Sequence, residues 1–175
     1  MFANMKIGLR LAIGFALTLV LLIVVSVIGV SRIAALNGEV EGLVQDKFPK
    51  TIAANDIIDS INTIARRLRN AYIFPAAEAQ KELEAIPEQR KIITDRLEKL
   101  EKTITSDAGK AILKKVLDAR GPYVTQQDKY IDALKANKRE EAALLLQTDL
   151  RKAQNDYMSS IVGLVDFQTE LVNKA

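Results

Sequence analysis

The chain has 175 residues, of which 49% are hydrophobic and only 5% aromatic, and it contains neither cysteine nor histidine. This aliphatic composition, with little glycine or proline, is typical of packed helices and predicts an all-α fold. The lack of thiols and imidazoles excludes disulfides and the commonest nucleophiles and bases, so we predict that the chain is not an enzyme and has no catalytic residue, metal site or cofactor. The net charge of +3 is too small to indicate a nucleic-acid partner.

The first predicted element is a transmembrane helix at residues 11–31. This stretch, LAIGFALTLVLLIVVSVIGVS, carries no charge, and at about 1.5 Å per residue it can cross about 30 Å of hydrocarbon. Lys6 and Arg10 precede it, so the positive-inside rule predicts that residues 1–10 are cytoplasmic and that residues 32–175 lie across the membrane. A cleaved signal peptide is the competing interpretation, but the apolar core of a signal peptide is shorter.

Two amphipathic helices are predicted next, with apolar residues at a spacing of about 3.6. The first begins at about residue 33, is interrupted or kinked at Pro49, and ends before Pro75. The second begins at about Ala76 or Glu88 and ends near Thr103.

Two further helices complete the predicted domain. The third extends over about residues 107–136, with Ser106 or Asp107 as its N-cap. Asn137 precedes Glu140 by three residues, which predicts Asn137 as the N-cap of a fourth helix that continues to the end. Because short turns join antiparallel neighbours, we predict an antiparallel up-down four-helix bundle, preceded by and continuous with the transmembrane helix.

The segment DARGPYV, residues 118–124, places Gly121 and Pro122 inside the third helix, where proline costs roughly 3 kcal/mol. Arg120 and Tyr123 beside them fall on the apolar face of this helix. A guanidinium on a core face needs either a partner or a wet cavity, because an isolated buried charge is too costly.

Two interpretations of Arg120 stay open. It pairs internally with Glu88 or Asp128, or it binds the carboxylate of a ligand through its rigid fork of donors, with the Tyr123 hydroxyl as a neighbour. Counting residues through the turns brings further polar side chains to about this level, and their angular positions on the helices separate inward from outward ones. The predicted ligand-binding residues are Arg66, Arg69, Gln89, Arg90, Arg120, Tyr123 and Gln127.

The same count predicts roles for other residues at this level. Pro87 lies opposite Pro122, and together they predict a backbone opened around a polar pocket. Other side chains receive structural roles: Tyr130 and Tyr157 are predicted to pack in the core, and Arg67 and Arg151 to be solvated.

The order of several segments resembles the N-terminal part of bacterial methyl-accepting chemotaxis proteins, with a transmembrane helix and a four-helix-bundle ligand-binding domain. The segments that carry the resemblance are MKIGLRLAIGFALTLVLLIVV, LVQDKFPKTIAANDIIDSINTIARRLRNAYI, TSDAGKAIL and KREEAALLLQTDLRKAQNDYMSSIVGLVDFQ. By position, Arg66 and Arg69 match the arginines that such receptors carry on the first helix of the bundle.

The resemblance implies a homodimeric periplasmic sensor in the bacterial inner membrane. It also implies a second transmembrane helix after residue 175, a HAMP linker and a cytoplasmic domain that controls a histidine kinase through a coupling protein. The leading hypothesis is therefore a chemoreceptor for a small anionic ligand such as a di- or tricarboxylate.

Several alternatives to this hypothesis stay open. The same sensor domain could belong to a histidine kinase or a diguanylate cyclase, and the chain could instead be a membrane-anchored structural bundle. The ligand could bind directly, within one bundle or across a dimer interface, or arrive on a docked binding protein.

Overall fold

A computed structural model describes residues 6–173 of the chain. The first five residues of the predicted cytoplasmic segment and the last two of the predicted sensor domain lie outside the described residues. The chain divides into two compact units, the first ending at Leu43 and the second beginning at Val44.

The first unit consists of helix α1, Ile7–Gly42. It is long and apolar enough to cross a membrane, judged by length and composition. Within the described part of the chain, α1 contains no buried residue, and its leucines, isoleucines and valines are exposed. Residues 11–31 of α1 carry no charge on any side, and an apolar helix is compatible with lipid because its backbone hydrogen bonds are satisfied internally.

The next helix, α2, extends over Phe48–Ile73, and a π-helical turn at Leu43–Lys47 comes before it. Pro49 explains this turn because it has no amide hydrogen to donate and its ring crowds the carbonyl group four residues earlier. Every residue from Ile7 to Ile73 is nevertheless helical, so Pro49 changes the helix locally and does not end it. As predicted, α2 ends just before Pro75.

The second predicted helix is divided into α3, Ala76–Glu84, and α4, Ile86–Thr103. The break falls at Ala85, two residues before Pro87, which lies in the first turn of α4, where a proline needs no amide hydrogen. The following helix, α5, extends over Asp107–Lys135 and continues through Gly121 and Pro122. Its N-cap is Ser106, whose hydroxyl accepts a hydrogen bond from the Gly109 amide at 3.2 Å.

The fourth predicted helix is also divided, into α6, Arg139–Gln147, and α7, Asp149–Asn173. The prediction that Asn137 caps this helix is wrong. Asn137 has a φ of 56° and adopts the left-handed conformation that ends a helix, and α6 begins after Lys138 with no side-chain cap. Thr148 marks the second break, where its hydroxyl donates to the Leu144 carbonyl at 2.7 Å.

The second unit is a four-helix bundle formed by α2, α3 with α4, α5, and α6 with α7. The helix α2 packs against α4 and α7, and α5 packs closely against α7, whereas the backbones of α4 and α5 approach each other at few points. Lys47 Nζ donates to the Leu171 carbonyl at 2.7 Å, so the start of α2 and the end of α7 lie at one pole. The prediction of an all-α four-helix bundle is confirmed.

Candidate ligand-binding site

The inward face of α5 is unusually polar at its centre. Tyr123, Gln127 and Tyr130 are each at most 1% exposed, and Arg120 is partly buried. Their spacing of three or four residues places them on one side of the helix. The predicted inward orientation of these four side chains is therefore confirmed.

Side chains bridge α4 and α5 where the two backbones are apart. Arg90 of α4 donates from Nε and Nη2 to the Gln127 Oε1 atom at 3.0 and 2.8 Å. Its Nη2 atom also donates to Asp128 Oδ1 at 2.7 Å. Arg90 is thus neutralised by Asp128, and it satisfies the carbonyl group of the buried Gln127 amide.

Arg120 contacts a neutral group. Its Nη2 atom donates to Thr94 Oγ1 at 2.6 Å, and that hydroxyl donates in turn to the Arg90 carbonyl at 2.9 Å. Within residues 6–173, no carboxylate lies within 4.0 Å of the Arg120 guanidinium. The predicted internal ion pair with Glu88 or Asp128 is therefore wrong, because Asp128 is engaged by Arg90 and Glu88 is exposed elsewhere on α4.

Two buried tyrosines adjoin Arg120. The rings of Tyr123 on α5 and Tyr157 on α7 have centroids 5.6 Å apart and planes inclined at 41°. In the described part of the chain, neither hydroxyl forms a hydrogen bond of acceptable distance and angle, although the Gln127 side chain lies near enough to the Tyr123 hydroxyl to act on it. Burial raises the pKa of Tyr123 to about 12, with Gln127 and Arg90 opposing the shift. Burial also raises the pKa of Tyr157, against the opposing charge of Arg120.

Tyr130 shows what a structural tyrosine looks like in this bundle. Its hydroxyl donates to the Leu68 carbonyl of α2 at 2.9 Å, which satisfies the buried oxygen. The prediction of core packing describes Tyr130 fully. For Tyr157 it is incomplete, because a buried hydroxyl without a partner costs about 1–3 kcal/mol and calls for an explanation.

The other predicted ligand-binding residues lie apart from this cluster or beside it. Arg66 is exposed, with Nη2 3.5 Å from the Thr63 hydroxyl. Arg69 is exposed in a groove of about 380 Å³ between α2 and α7, which Arg151 also lines. Gln89 is partly buried on α4, next to Arg90 in sequence. The structure therefore brings together four of the seven residues: Arg90, Arg120, Tyr123 and Gln127.

Comparison with known proteins assigns the bundle to a family. Residues 4–175 match the family described as the four helix bundle sensory module for signal transduction. The chain belongs to this family. The match confirms the resemblance to the sensor domains of methyl-accepting chemotaxis proteins, and it identifies the chain as a sensory module. No curated protein sequence matches the chain.

The two prolines of the sensory module do not border one pocket, which corrects the predicted arrangement. Pro87 lines a groove of about 640 Å³ between α3, α4 and α5, and Arg90 and Asp128 form part of that groove. Pro122 is exposed and lines a different groove of about 490 Å³ between α5 and α7. The Gly-Pro pair therefore lies on the outer side of α5, away from Arg120.

A second correction concerns Arg67, which was predicted to be solvated. Its Nη1 atom lies 2.9 Å from Glu82 Oε2, and both side chains are partly buried. This ion pair connects α2 to α3. Arg151 is exposed as predicted.

The polar cluster at the centre of the sensory module consists of Thr94, Arg120, Tyr123, Gln127 and Tyr157, and we call it the seam cluster. It offers one guanidinium without a counter-charge and two hydroxyl donors without acceptors. Groups of this kind bind anions that carry oxygen acceptors. Within residues 6–173, no group of three or more acidic side chains is placed to hold a metal ion.

Proposed function

We propose that this sensory module is the ligand-binding part of a transmembrane chemoreceptor, and that it detects a small organic anion in the bacterial periplasm. One observation carries the proposal: Arg120 is partly buried on the inward face of α5, and among residues 6–173 it forms one hydrogen bond, to the Thr94 hydroxyl, and no ion pair. Natural proteins neutralise inward-facing charges, and the absence of an internal partner is explained when an external anion supplies the charge.

The seam between α4 and α5 provides a route by which an anion can reach Arg120. The two backbones are in close contact at few points, and Arg90 with Asp128 forms part of the outer groove. Asp128 is 54% exposed, so water readily solvates it when Arg90 moves. Opening the seam therefore requires the exchange of a partly solvated ion pair, which contributes little to stability, and of the two hydrogen bonds from Arg90 to Gln127, whose amide carbonyl the incoming water or ligand must then satisfy.

The membrane topology is part of the proposal. Residues 1–10 are cytoplasmic, residues 11–31 span the inner membrane, and residues 32–175 form the periplasmic domain, as the positive charges before the span indicate. The chain lacks cysteine, so a single introduced cysteine is the only thiol that a maleimide can label, and its labelling reports on which side of the membrane it lies. Lys110→Cys, at an exposed position of the bundle, should react with an impermeant maleimide in intact spheroplasts, and Lys6→Cys should not. The reverse pattern would contradict the orientation.

The output is proposed to be control of a cytoplasmic histidine kinase, with its coupling protein, by a homodimeric receptor. The family description as a signal-transduction module supports an output of this kind. A chimera in which residues 1–175 replace the sensor of a chemoreceptor with a known output tests it. Kinase activity should change when the ligand is added, and activity that is indifferent to a bound ligand would contradict the proposal.

Binding is tested by calorimetry of the full chain in detergent against a panel of organic acids and amino acids. Arg120→Ala should abolish binding, and Arg69→Ala serves as the matched control because Arg69 lies in the α2–α7 groove. Loss of binding only in Arg69→Ala would show that the ligand binds at the α2 arginines instead. If no compound binds and Arg120→Ala merely destabilises the chain, the bundle is a membrane-anchored structural protein.

A further inference from the structure

We propose that the ligand carries a single carboxylate, held by Arg120 and by the hydroxyls of Tyr123 and Tyr157. This inference rests on the proposed function and names the class of anion: a short monocarboxylic acid without an amino group. It differs from the di- or tricarboxylate expected from sequence.

The first argument is the number of free charges. The helices α4 and α5 carry three arginines. Arg90 is paired with Asp128 at 2.7 Å, and Arg96 is paired with Asp56 of α2 at 2.7 Å. Only the Arg120 charge is left, and every lysine of these two helices is exposed. A monoanion neutralises the cluster, whereas the second carboxylate of a dicarboxylate would be desolvated without a cation.

The second argument is the number and kind of hydrogen-bonding groups. The two unpartnered hydroxyls can each donate one hydrogen bond. Both tyrosines are 1% exposed, and both are protonated at neutral pH, because the ordinary tyrosine pKa lies near 10 and burial raises it further. One carboxylate has about four lone-pair sites. It therefore has enough acceptor sites for the guanidinium and for both hydroxyls.

The third argument concerns what surrounds the carboxylate. Tyr123 and Tyr157 belong to the hydrophobic core, together with Ile93, Val116 and Ile161. A core position favours an apolar chain on the ligand over a second charged or polar group. An ammonium group does not, because Asp128, the carboxylate beside Gln127 in sequence, is already paired with Arg90. Amino acids are thus disfavoured relative to acids of the same length.

The test is a calorimetric titration of the full chain in detergent with four matched probes. Propionate has one carboxylate, succinate has two, alanine adds an ammonium group, and propionamide removes the charge. Propionate should bind at least about tenfold more tightly than each of the others, since an unpaired buried charge or a lost ionic hydrogen bond costs more than about 1.4 kcal/mol. Succinate binding as tightly as propionate would overturn the inference.

Conservative variants keep the test independent of folding. Tyr123→Phe and Tyr157→Phe should each weaken propionate binding by about three- to tenfold, as expected for one lost hydrogen bond of about 1 kcal/mol. Tyr130→Phe is the matched control, because its hydroxyl is satisfied by Leu68, and it should leave the affinity unchanged. Equal affinities in all three variants would refute the role of the hydroxyls.

The outcomes separate this inference from the proposed function. If succinate or citrate binds and propionate does not, the module is a sensor of organic anions, but the single-carboxylate inference is wrong. If none of the acids binds, both the proposed function and the inference fail. If propionate binds and Arg120→Ala abolishes binding while Arg69→Ala retains it, both are supported.

Discussion

Removing the hydroxyl of Tyr123 or Tyr157 should stabilise the ligand-free protein, although it weakens ligand binding. Each hydroxyl is buried without a partner within residues 6–173, and an unsatisfied buried polar group costs about 1–3 kcal/mol. Phenylalanine keeps the ring and its packing, including the contact between the two rings at 5.6 Å. We therefore expect Tyr123→Phe and Tyr157→Phe each to raise the free energy of unfolding by about 1–3 kcal/mol, or the Tm by roughly 3–10 °C.

Tyr130→Phe should have the opposite effect, because it removes a hydrogen bond of 2.9 Å to the Leu68 carbonyl. The expected loss is about 0.5–1.5 kcal/mol. Urea unfolding of the three variants in the same detergent, followed by far-ultraviolet circular dichroism, compares them directly. If Tyr123→Phe and Tyr157→Phe lose as much stability as Tyr130→Phe, their hydroxyls are satisfied without a ligand, and the reasoning that reserves them for a carboxylate is refuted.

Three further predictions concern α5. Gly109→Ala should destabilise the chain by about 1–3 kcal/mol, because a Cβ there would lie 2.6 Å from a neighbouring side-chain carbon. Gly121→Ala should stabilise it by up to about 1 kcal/mol, because a Cβ there would have nothing within 4 Å. Changes of the same sign in the free energy of urea unfolding would contradict this packing. Pro122→Ala should raise the free energy of unfolding by up to about 3 kcal/mol. It should leave the affinity for organic acids unchanged, since Pro122 lines the groove away from Arg120. A tenfold loss of affinity in calorimetry would mean that the proline shapes the site. The pKa of Tyr123 is raised from 10.0 to about 12, so as the pH rises the tyrosine loses its proton first in the unfolded chain. The free energy of unfolding should therefore be constant below pH 10 and fall between about pH 10 and 12. Unfolding measurements that show rising stability in this range would contradict the burial of Tyr123.

Most of the fold follows from the periodicity of apolar residues, because the helical period of the core face is explicit in the sequence. The breaks at Ala85 and Thr148 are harder to predict. Pro87 indicates the first break, since proline is favoured in the first turn of a helix and α4 begins one residue before it. Thr148 has no such marker, because the local sequence is compatible with a continuous helix. The sequence allows Asn137 to be either the N-cap of the fourth helix or the residue that ends the third. Its left-handed φ shows that it ends the third helix.

The site was predictable only in part. The inward orientation of Arg120, Tyr123 and Gln127 follows from their spacing on one helix. Which residues of other helices face them depends on where each turn is centred. The helix breaks at Ala85 and Thr148 shift the residue count through the turns by several residues. Tyr157 was missed for this reason: its contact with Tyr123 follows from a turn centred a few residues later than the predicted one. Asp128 pairs with Arg90 and not with Arg120. Residue counting cannot predict this, because it gives no side-chain positions.

The most direct test of the central claim is thermal unfolding of the wild-type chain and Arg120→Ala with and without propionate. The account predicts that ligand at about 100 times its Kd stabilises the wild-type chain by about 2.7 kcal/mol and leaves Arg120→Ala unchanged. Arg69→Ala, altered in the α2–α7 groove, should respond like the wild type. A ligand-induced shift of equal size in Arg120→Ala would contradict the claim that the unpaired guanidinium inside the bundle receives the anion.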